Sequence, residues 1–254
     1  MSRVAIIAAM PGELTPLVKG WKHEPHDGVS LWRKRFDDVE WIAACAGAGQ
    51  DRAVRAFAAA EKCGRIDRVL SIGWAGALNE ESVPGEAYRV SGVIDVRTGE
   101  RFPSADVAQG ELLANPASHQ KKSERTGEQA AVPDAGSLAQ IWLATAPKVA
   151  DEQEKQRLRG TYGAALVDME AAAIARLAQM RKIPFYCIKG VSDGYRDYLP
   201  DFNRFLTETG QFQLVRFVIF TLLRPHSWPA LIRMGENSKK AALRIAETVR
   251  EVLG

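Results

Sequence analysis

Near the N-terminus the run RVAIIAAM (3–10) is almost continuously apolar and stops at Pro11-Gly12. A strand with one wet face would alternate, so this pattern suits a strand covered on both faces, as in a parallel sheet. The pattern then repeats with variations. VSLWRKRFDDVEWIAACAG (29–47) reads as two strands joined at Asp37-Asp38, a hairpin closed by Gly47. DRAVRAFAAAEKCG (51–64) has helical composition, with Asp51 near its start and Gly64 past its end. RVLSIGWAGAL (68–78) follows as a buried strand running into a glycine turn.

Further along, SLAQIWLATA (137–146) reads as a strand, and DEQEKQRLRG (151–160) as a short charged helix stopped by Gly160. GAALVDME (163–170), an alanine-rich helix and IPFYCIKGVSDG (183–194) complete the series. Strands alternating with helices predict a mixed, mainly parallel sheet with helices on both sides, a three-layer α/β/α architecture. The polar, interrupted stretch from about 95 to 137 fits this plan as surface excursions or as a disordered loop.

The chain has 254 residues, 46% hydrophobic and 26% charged, a soluble globular balance with enough apolar material for a sizeable core. No linker separates two apolar patterns, so residues 1–254 are expected to form one domain. A net charge of +3 is too small to imply a nucleic-acid partner. Six basic residues against three acidic ones from Arg224 onward put the same +3 in the tail alone. Three widely spaced cysteines, Cys45, Cys63 and Cys187, suggest neither disulfides nor a metal site and fit a reducing cytoplasm. The N-terminus lacks the pattern of a secretory signal, and no charge-free run approaches the length of a membrane span.

In α/β sheets ligands bind beyond the carboxyl ends of the strands. Four places qualify: Met10 to Glu13, GWAG (73–76), VDME (167–170) and SDG (192–194). Acids stand at three of them: Glu13, Asp168 with Glu170, and Asp193. Singly, Glu13 is explained as a helix N-terminal charge and SDG as a turn cluster. Carboxylates converging on one rim raise one another's pKa values, a cost tolerated where acid-base work is done. Other motifs fail. CAGAGQDRA carries Arg52 in place of the last glycine of a dinucleotide fingerprint, the histidines (His23, His26, His119, His226) lack metal-ligand spacing, and there is no GxSxG elbow. No metal is expected.

Taken in order, VAIIAAMPGEL, SIGWAGAL, VDMEAAAIA and GVSDG resemble the nucleoside phosphorylase and nucleosidase superfamily, over residues 4 to 194. Its members include purine nucleoside phosphorylases and methylthioadenosine/S-adenosylhomocysteine nucleosidases. The resemblance implies cleavage of the N-glycosidic bond of a purine nucleoside, with an oxocarbenium-like ribose and a general acid for the departing base. It implies that Asp193 protonates the imidazole ring of the purine, with Ser192 orienting it, and that burial and nearby carboxylates raise the pKa of Asp193. Glu13 would deprotonate the attacking water, Glu170 accept both ribose hydroxyls, and Met169 pack against the sugar. Asp168 would support the structure, and Trp74, Ala75 and Gly76 would line the substrate site. No cofactor is implied, except phosphate as co-substrate in a phosphorylase.

Phosphorylases of this kind carry an arginine near the position of Ser71 and a serine at that of Trp74. Both are missing here, which favours water as the nucleophile; Trp74 either stacks on the substrate or narrows the site. Gly12 stands where nucleosidases often have another acid. Residues 224–254 are expected to form a helical extension; the first half of the stretch 217–253 resembles the C-terminal region of hopanoid-associated phosphorylases, and three readings stay open for the extension. It packs on the core, packs on a second subunit of a homo-oligomer, or rests on a membrane surface to receive a lipid-linked nucleoside. A non-catalytic nucleoside-binding protein is the alternative to an enzyme.

Overall fold

The structure, a computed structural model, describes residues 2–25, 27–105, 140–197, 205 and 228–253. The polar segment 106–137, His26, His119, His226 and the first part of the tail, 224–227, lie outside the described residues.

The chain opens with β1 (Ser2–Ala8) and the short helix α1 (Pro11–Leu14), followed by β2 (Lys22–His23), β3 (Ser30–Phe36) and β4 (Val39–Cys45). Helix α2 (Gln50–Lys62) leads to β5 (Arg68–Ala77), then β6 (Ala87–Arg89), β7 (Gly92–Asp95) and β8 (Arg101–Pro103). After β9 (Trp142–Thr145) come α3 (Glu152–Tyr162), β10 (Leu166–Asp168), α4 (Ala171–Arg181), β11 (Phe185–Asp193) and the long helix α5 (Trp228–Leu253).

The strands of the described residues join one sheet in the order β2-β3-β4-β1-β5-β10-β9-β7-β8, with β11 branching from β5 and β6 pairing with the outer side of β11. The centre is parallel as expected: β4, β1, β5 and β11 run together, and β10, β9 and β7 form a second parallel group. The two groups meet antiparallel where β10 pairs with the end of β5, and the outer pairs β2-β3, β3-β4 and β7-β8 are antiparallel. The hairpin turns at Asp37-Asp38, with Phe36 opposite Val39 and Asp37 at a φ of 48°.

The period-2 alternation of strands sorts the apolar runs into two cores. Ala5 and Ile7 of β1, Ile42 and Ala44 of β4 and Val69 and Ala75 of β5 face α2 and α4. Their neighbours Val4, Ile6, Trp41, Ala43, Leu70 and Ile72 face the other way, onto Leu14, Leu17 and Val18 and onto Ile245, Ala246 and Val249 of α5. These are the three layers expected from the alternation of strands and helices. Helix α5 is therefore the cover of the second face, and each fully buried Ile or Val in its seam stabilises the contact by roughly 1.5–3 kcal/mol. Gly190 of β11 makes this possible, because a Cβ there would lie 2.7 Å from that of Ala241. Among the described residues no helix is long and apolar enough to cross a membrane.

Several local expectations change. Helix α3 runs through Gly160 and ends at Gly163, which adopts the left-handed C-cap conformation at φ 64°. A single glycine inside a helix costs only about 1 kcal/mol, which tertiary packing of Lys155 and Leu158 overrides. GWAG is not a turn: β5 continues through it to Ala77 because β11 pairs with it residue by residue. SDG is likewise not a loop after a strand, since Ser192 and Asp193 belong to β11, where the register against β5 shifts between Val191 and Asp193. Residues 95–105 are not a surface excursion either. They hold part of the β7-β8 hairpin, with Asp95 fully buried and Phe102 packed in the core.

Candidate active site

A cavity of about 370 Å³ opens beside the carboxyl ends of β1, β5, β10 and β11, within the usual size for a small-molecule site. Its lining includes every residue that the sequence nominated: Glu13, Trp74, Ala75, Gly76, Asp168, Met169, Glu170, Ser192 and Asp193. Met10, Ala48, Val149 and Met234 add apolar walls, and the exposed Lys148 stands at the rim.

Glu13 is placed by the break after β1. Pro11 presets the first helical position of α1, so Glu13 falls at N3 and its carboxylate turns back onto the chain that precedes it. Its Oε2 accepts from the backbone N–H of Ala9 and Met10, both at 2.8 Å, and its Oε1 from that of Trp74 at 2.8 Å. Gly73 makes room for this: it sits at φ 144°, and a Cβ there would lie 2.7 Å from Glu13 Oε1. Burial raises the Glu13 pKa above the usual carboxylate range, with the three N–H bonds and the Lys189 ammonium opposing. The helix-end explanation is thus half right, since Glu13 caps its own helix and also reaches across to β5.

Trp74 projects from β5 toward α5 and donates its Nε1–H to the Ser238 carbonyl at 2.9 Å. Together with Met234 this makes α5 a wall of the cavity.

Asp168 and Glu170 divide their work. Asp168 Oδ1 accepts from Thr145 Oγ1 at 2.7 Å, and Oδ2 from the Ala171 N–H at 3.0 Å and the Lys189 ammonium at 2.9 Å. It ties β9, β10, β11 and the start of α4 together. Glu170 turns the other way, accepting from the Gly49 N–H at 2.6 Å at the start of α2. Burial and the neighbouring Asp168 carboxylate push the Glu170 pKa up to about 7, against the pull of Lys189. Lys189 itself would be pushed down by burial, but Asp168 holds it above its ordinary value.

Ser192 Oγ donates to Asp193 Oδ1 at 2.6 Å and lies 3.3 Å from the Ala75 carbonyl, so the carboxylate is the nearer partner. Asp193 Oδ2 accepts from the Lys155 ammonium at 2.5 Å, and Lys155 also donates to the Gly194 carbonyl at 2.8 Å. This corrects the expected surroundings of Asp193, since the charged group touching it is a buried ammonium rather than another carboxylate.

The residues that sequence reasoning passed over are Lys155, Lys189, Thr145, Gly49 and the α5 pair Met234 and Ser238. Both lysines left a signal. Lys189 interrupts the apolar run YCIKGV, and Lys155 lies three residues before Leu158 on the one face of α3 that is buried. Among the described residues no group of three or more His, Cys, Asp or Glu side chains is arranged to hold a metal ion.

The family model described as the phosphorylase superfamily matches residues 3–213. The chain belongs to this superfamily. The four blocks on which the sequence resemblance rests all lie inside that match. The aminodeoxyfutalosine nucleosidase of Campylobacter jejuni is 24% identical over 201 residues, covering 76% of this superfamily member and 86% of the relative. Among solved structures, the futalosine hydrolase of Helicobacter pylori has a TM-score of 0.67 at 15% identity, with 99% of this chain and 97% of that one covered. The 5′-methylthioadenosine nucleosidase of Arabidopsis thaliana in its apo form gives 0.68 at 17% identity, with 100% and 95% covered. These likenesses show that the fold of the described residues, α5 included, is shared with these proteins.

Proposed function

We propose that the protein is a nucleosidase that hydrolyses the N-glycosidic bond of a purine nucleoside. The observation that carries the reading is the convergence of Glu13, Glu170 and the Ser192-Asp193 pair on one cavity, each held by a different hydrogen-bond set. Glu13, fixed by three N–H groups and with its pKa raised by burial, has the position and basicity of a general base for water. Glu170, whose Oε1 accepts from the Gly49 N–H and Oε2 from the Met169 N–H at 3.2 Å, has lone pairs left for the vicinal hydroxyls of ribose, and Met169 supplies an apolar surface for the sugar. Asp193, with its Ser192 hydrogen bond, serves the leaving base. Acid, base and ribose-holding group are all side chains of this chain, so the reading uses no cofactor.

Hydrolysis is favoured over phosphorolysis by what stands at the mouth of the site. No arginine is among the described residues lining the cavity, and the Trp74 indole fills the end nearest α5. The names of the relatives, a nucleosidase of aminodeoxyfutalosine and one of methylthioadenosine, support water as nucleophile and leave the 5′ group to experiment.

The test incubates pure protein with methylthioadenosine, S-adenosylhomocysteine and aminodeoxyfutalosine, with and without phosphate, and resolves base, free sugar and sugar phosphate. The expected result is free base and free sugar at a rate independent of phosphate. Sugar phosphate formed only with phosphate would make the protein a phosphorylase. Saturable binding of unchanged ligand over hours would make it a binder.

A further inference from the structure

In this structure both carboxylate oxygens of Asp193 receive hydrogen bonds, Oδ1 from Ser192 and Oδ2 from Lys155. Yet the proposed reaction needs Asp193 to give a proton away. Lys155 reaches it from α3, 38 residues earlier in the chain, with 2% of its surface exposed. Helix α3 gains nothing from a lysine there. Its N-cap is Asp151, whose side chain accepts from the Glu154 N–H, so Lys155 lies at the positive end of the helix dipole. A buried ammonium is also costly to desolvate, and an apolar residue would serve a core position at least as well.

We infer that Lys155 is a positioning residue that supplies, through Asp193, the proton taken by the leaving base. The inference rests on the nucleosidase reading. The Lys155 ammonium passes a proton to the Asp193 carboxylate, which becomes a carboxylic acid and leaves Lys155 a neutral amine. As the C1′–N bond breaks, its electron pair passes to the purine, whose imidazole ring takes that proton and returns Asp193 to a carboxylate, while the C1′–O bond forms to a water whose proton passes to Glu13. The proton on Glu13 and the vacancy on Lys155 are reset from solvent. The second hydrogen bond of Lys155, to the Gly194 carbonyl, holds the amine in line during the transfer.

The charged groups around the pair are already engaged. Asp168 is paired with Lys189, Glu170 is bound by Gly49, and Asp197 accepts from the Gly194 N–H at 2.7 Å. On α3 itself Glu154 is paired with Arg157, while Glu152 is exposed and Lys148 stands at the rim of the cavity. Within this set Lys155 is the cation that touches Asp193.

The experiment compares wild type, Lys155→Met and Lys155→Arg on a purine nucleoside and on p-nitrophenyl β-riboside, whose leaving group departs as a stable anion and needs no proton. On the purine nucleoside, both variants should lose about 10²- to 10⁴-fold in kcat, because methionine holds no proton and a guanidinium does not give one up. On the nitrophenyl riboside they should stay within about tenfold of wild type, which also shows that the site is folded. Equal losses on both substrates, or restoration by arginine, would overturn the relay. A wild type that releases no leaving group from either substrate would overturn the nucleosidase reading, and the relay with it.

Discussion

The indole of Trp74 occupies the space that a side chain on residue 12 would need. A Cβ added to Gly12 would sit 3.0 Å from Trp74 Cη2 and 3.5 Å from Cζ2. Two of the three departures from the family pattern, a glycine at 12 and a tryptophan at 74, therefore stand in contact with each other. A Gly12→Glu variant should lose activity and about 1–3 kcal/mol of stability, as overpacking does. Combining it with Trp74→Ala should recover most of both. A double-mutant cycle by denaturant unfolding and kinetics checks the coupling; strict additivity would separate the two residues.

Glu13→Gln keeps the shape of the side chain but can present an NH2 to N–H groups that need an acceptor. We expect about 10²- to 10⁴-fold lower kcat from loss of the base. A stability loss of about 1–3 kcal/mol should accompany it, from the unmatched backbone donors. Steady-state kinetics with circular dichroism on the same sample separates the two effects.

Glu170 carries a pH signature. Its pKa is pushed up to about 7 in the folded protein, from an ordinary value of 4.5. Between those values the unfolded chain has released the proton and the native one still holds it, so this residue's contribution to stability is full below about 4.5 and is lost as pH rises through about 7. Glu170→Gln should flatten that fall, which unfolding curves at pH 4.5 to 8 would show. Wild-type KM should drop as pH rises through the same window, because the ionised carboxylate accepts both ribose hydroxyls. The variant's KM should not respond.

Asp193→Asn should abolish most turnover while substrate still binds. It also strands the Lys155 ammonium in the interior, which costs about 3–5 kcal/mol when a buried pair loses one partner. Adding Lys155→Met to Asp193→Asn should therefore restore stability without restoring activity, measured by thermal unfolding and base release.

Gly190→Ala tests the seam beneath α5. The new methyl would meet Ala241 Cβ at 2.7 Å and the Ala241 carbonyl at 3.1 Å. Backbone cannot yield as a flexible side chain does, so we expect a loss of about 1–3 kcal/mol. Activity should fall as well, because displacement of α5 moves Ser238 away from Trp74.

The sequence carried the layers and the polar end of the site because both are written in local pattern. Continuous apolar runs such as RVAIIAAM mark strands covered on two faces, and the acids after or within them mark the rim where those strands end. It did not carry what depends on pairing between distant segments. GWAG looks like a turn because its glycines are locally flexible, and only the β11 partner keeps it extended. Lys155 and Lys189 stand among buried positions in the pattern, but their partners, Asp193 and Asp168, come from distant segments that the local pattern does not name. The part played by α5 was also hidden, since an amphipathic helix does not declare which surface its apolar face will meet.

The register shift in β11 has a consequence for how the acid and its hydroxyl partner work together. An unbroken strand sends consecutive side chains to opposite sides, which would have left Ser192 with its back to Asp193. One surplus residue against Gly76 cancels that rule for a single step, so neighbours in sequence become neighbours in space. Their alignment is thus a property of how two main chains count past each other, settled before any side chain rotates. A slip of one position would turn both residues away from the cavity without altering a single amino acid.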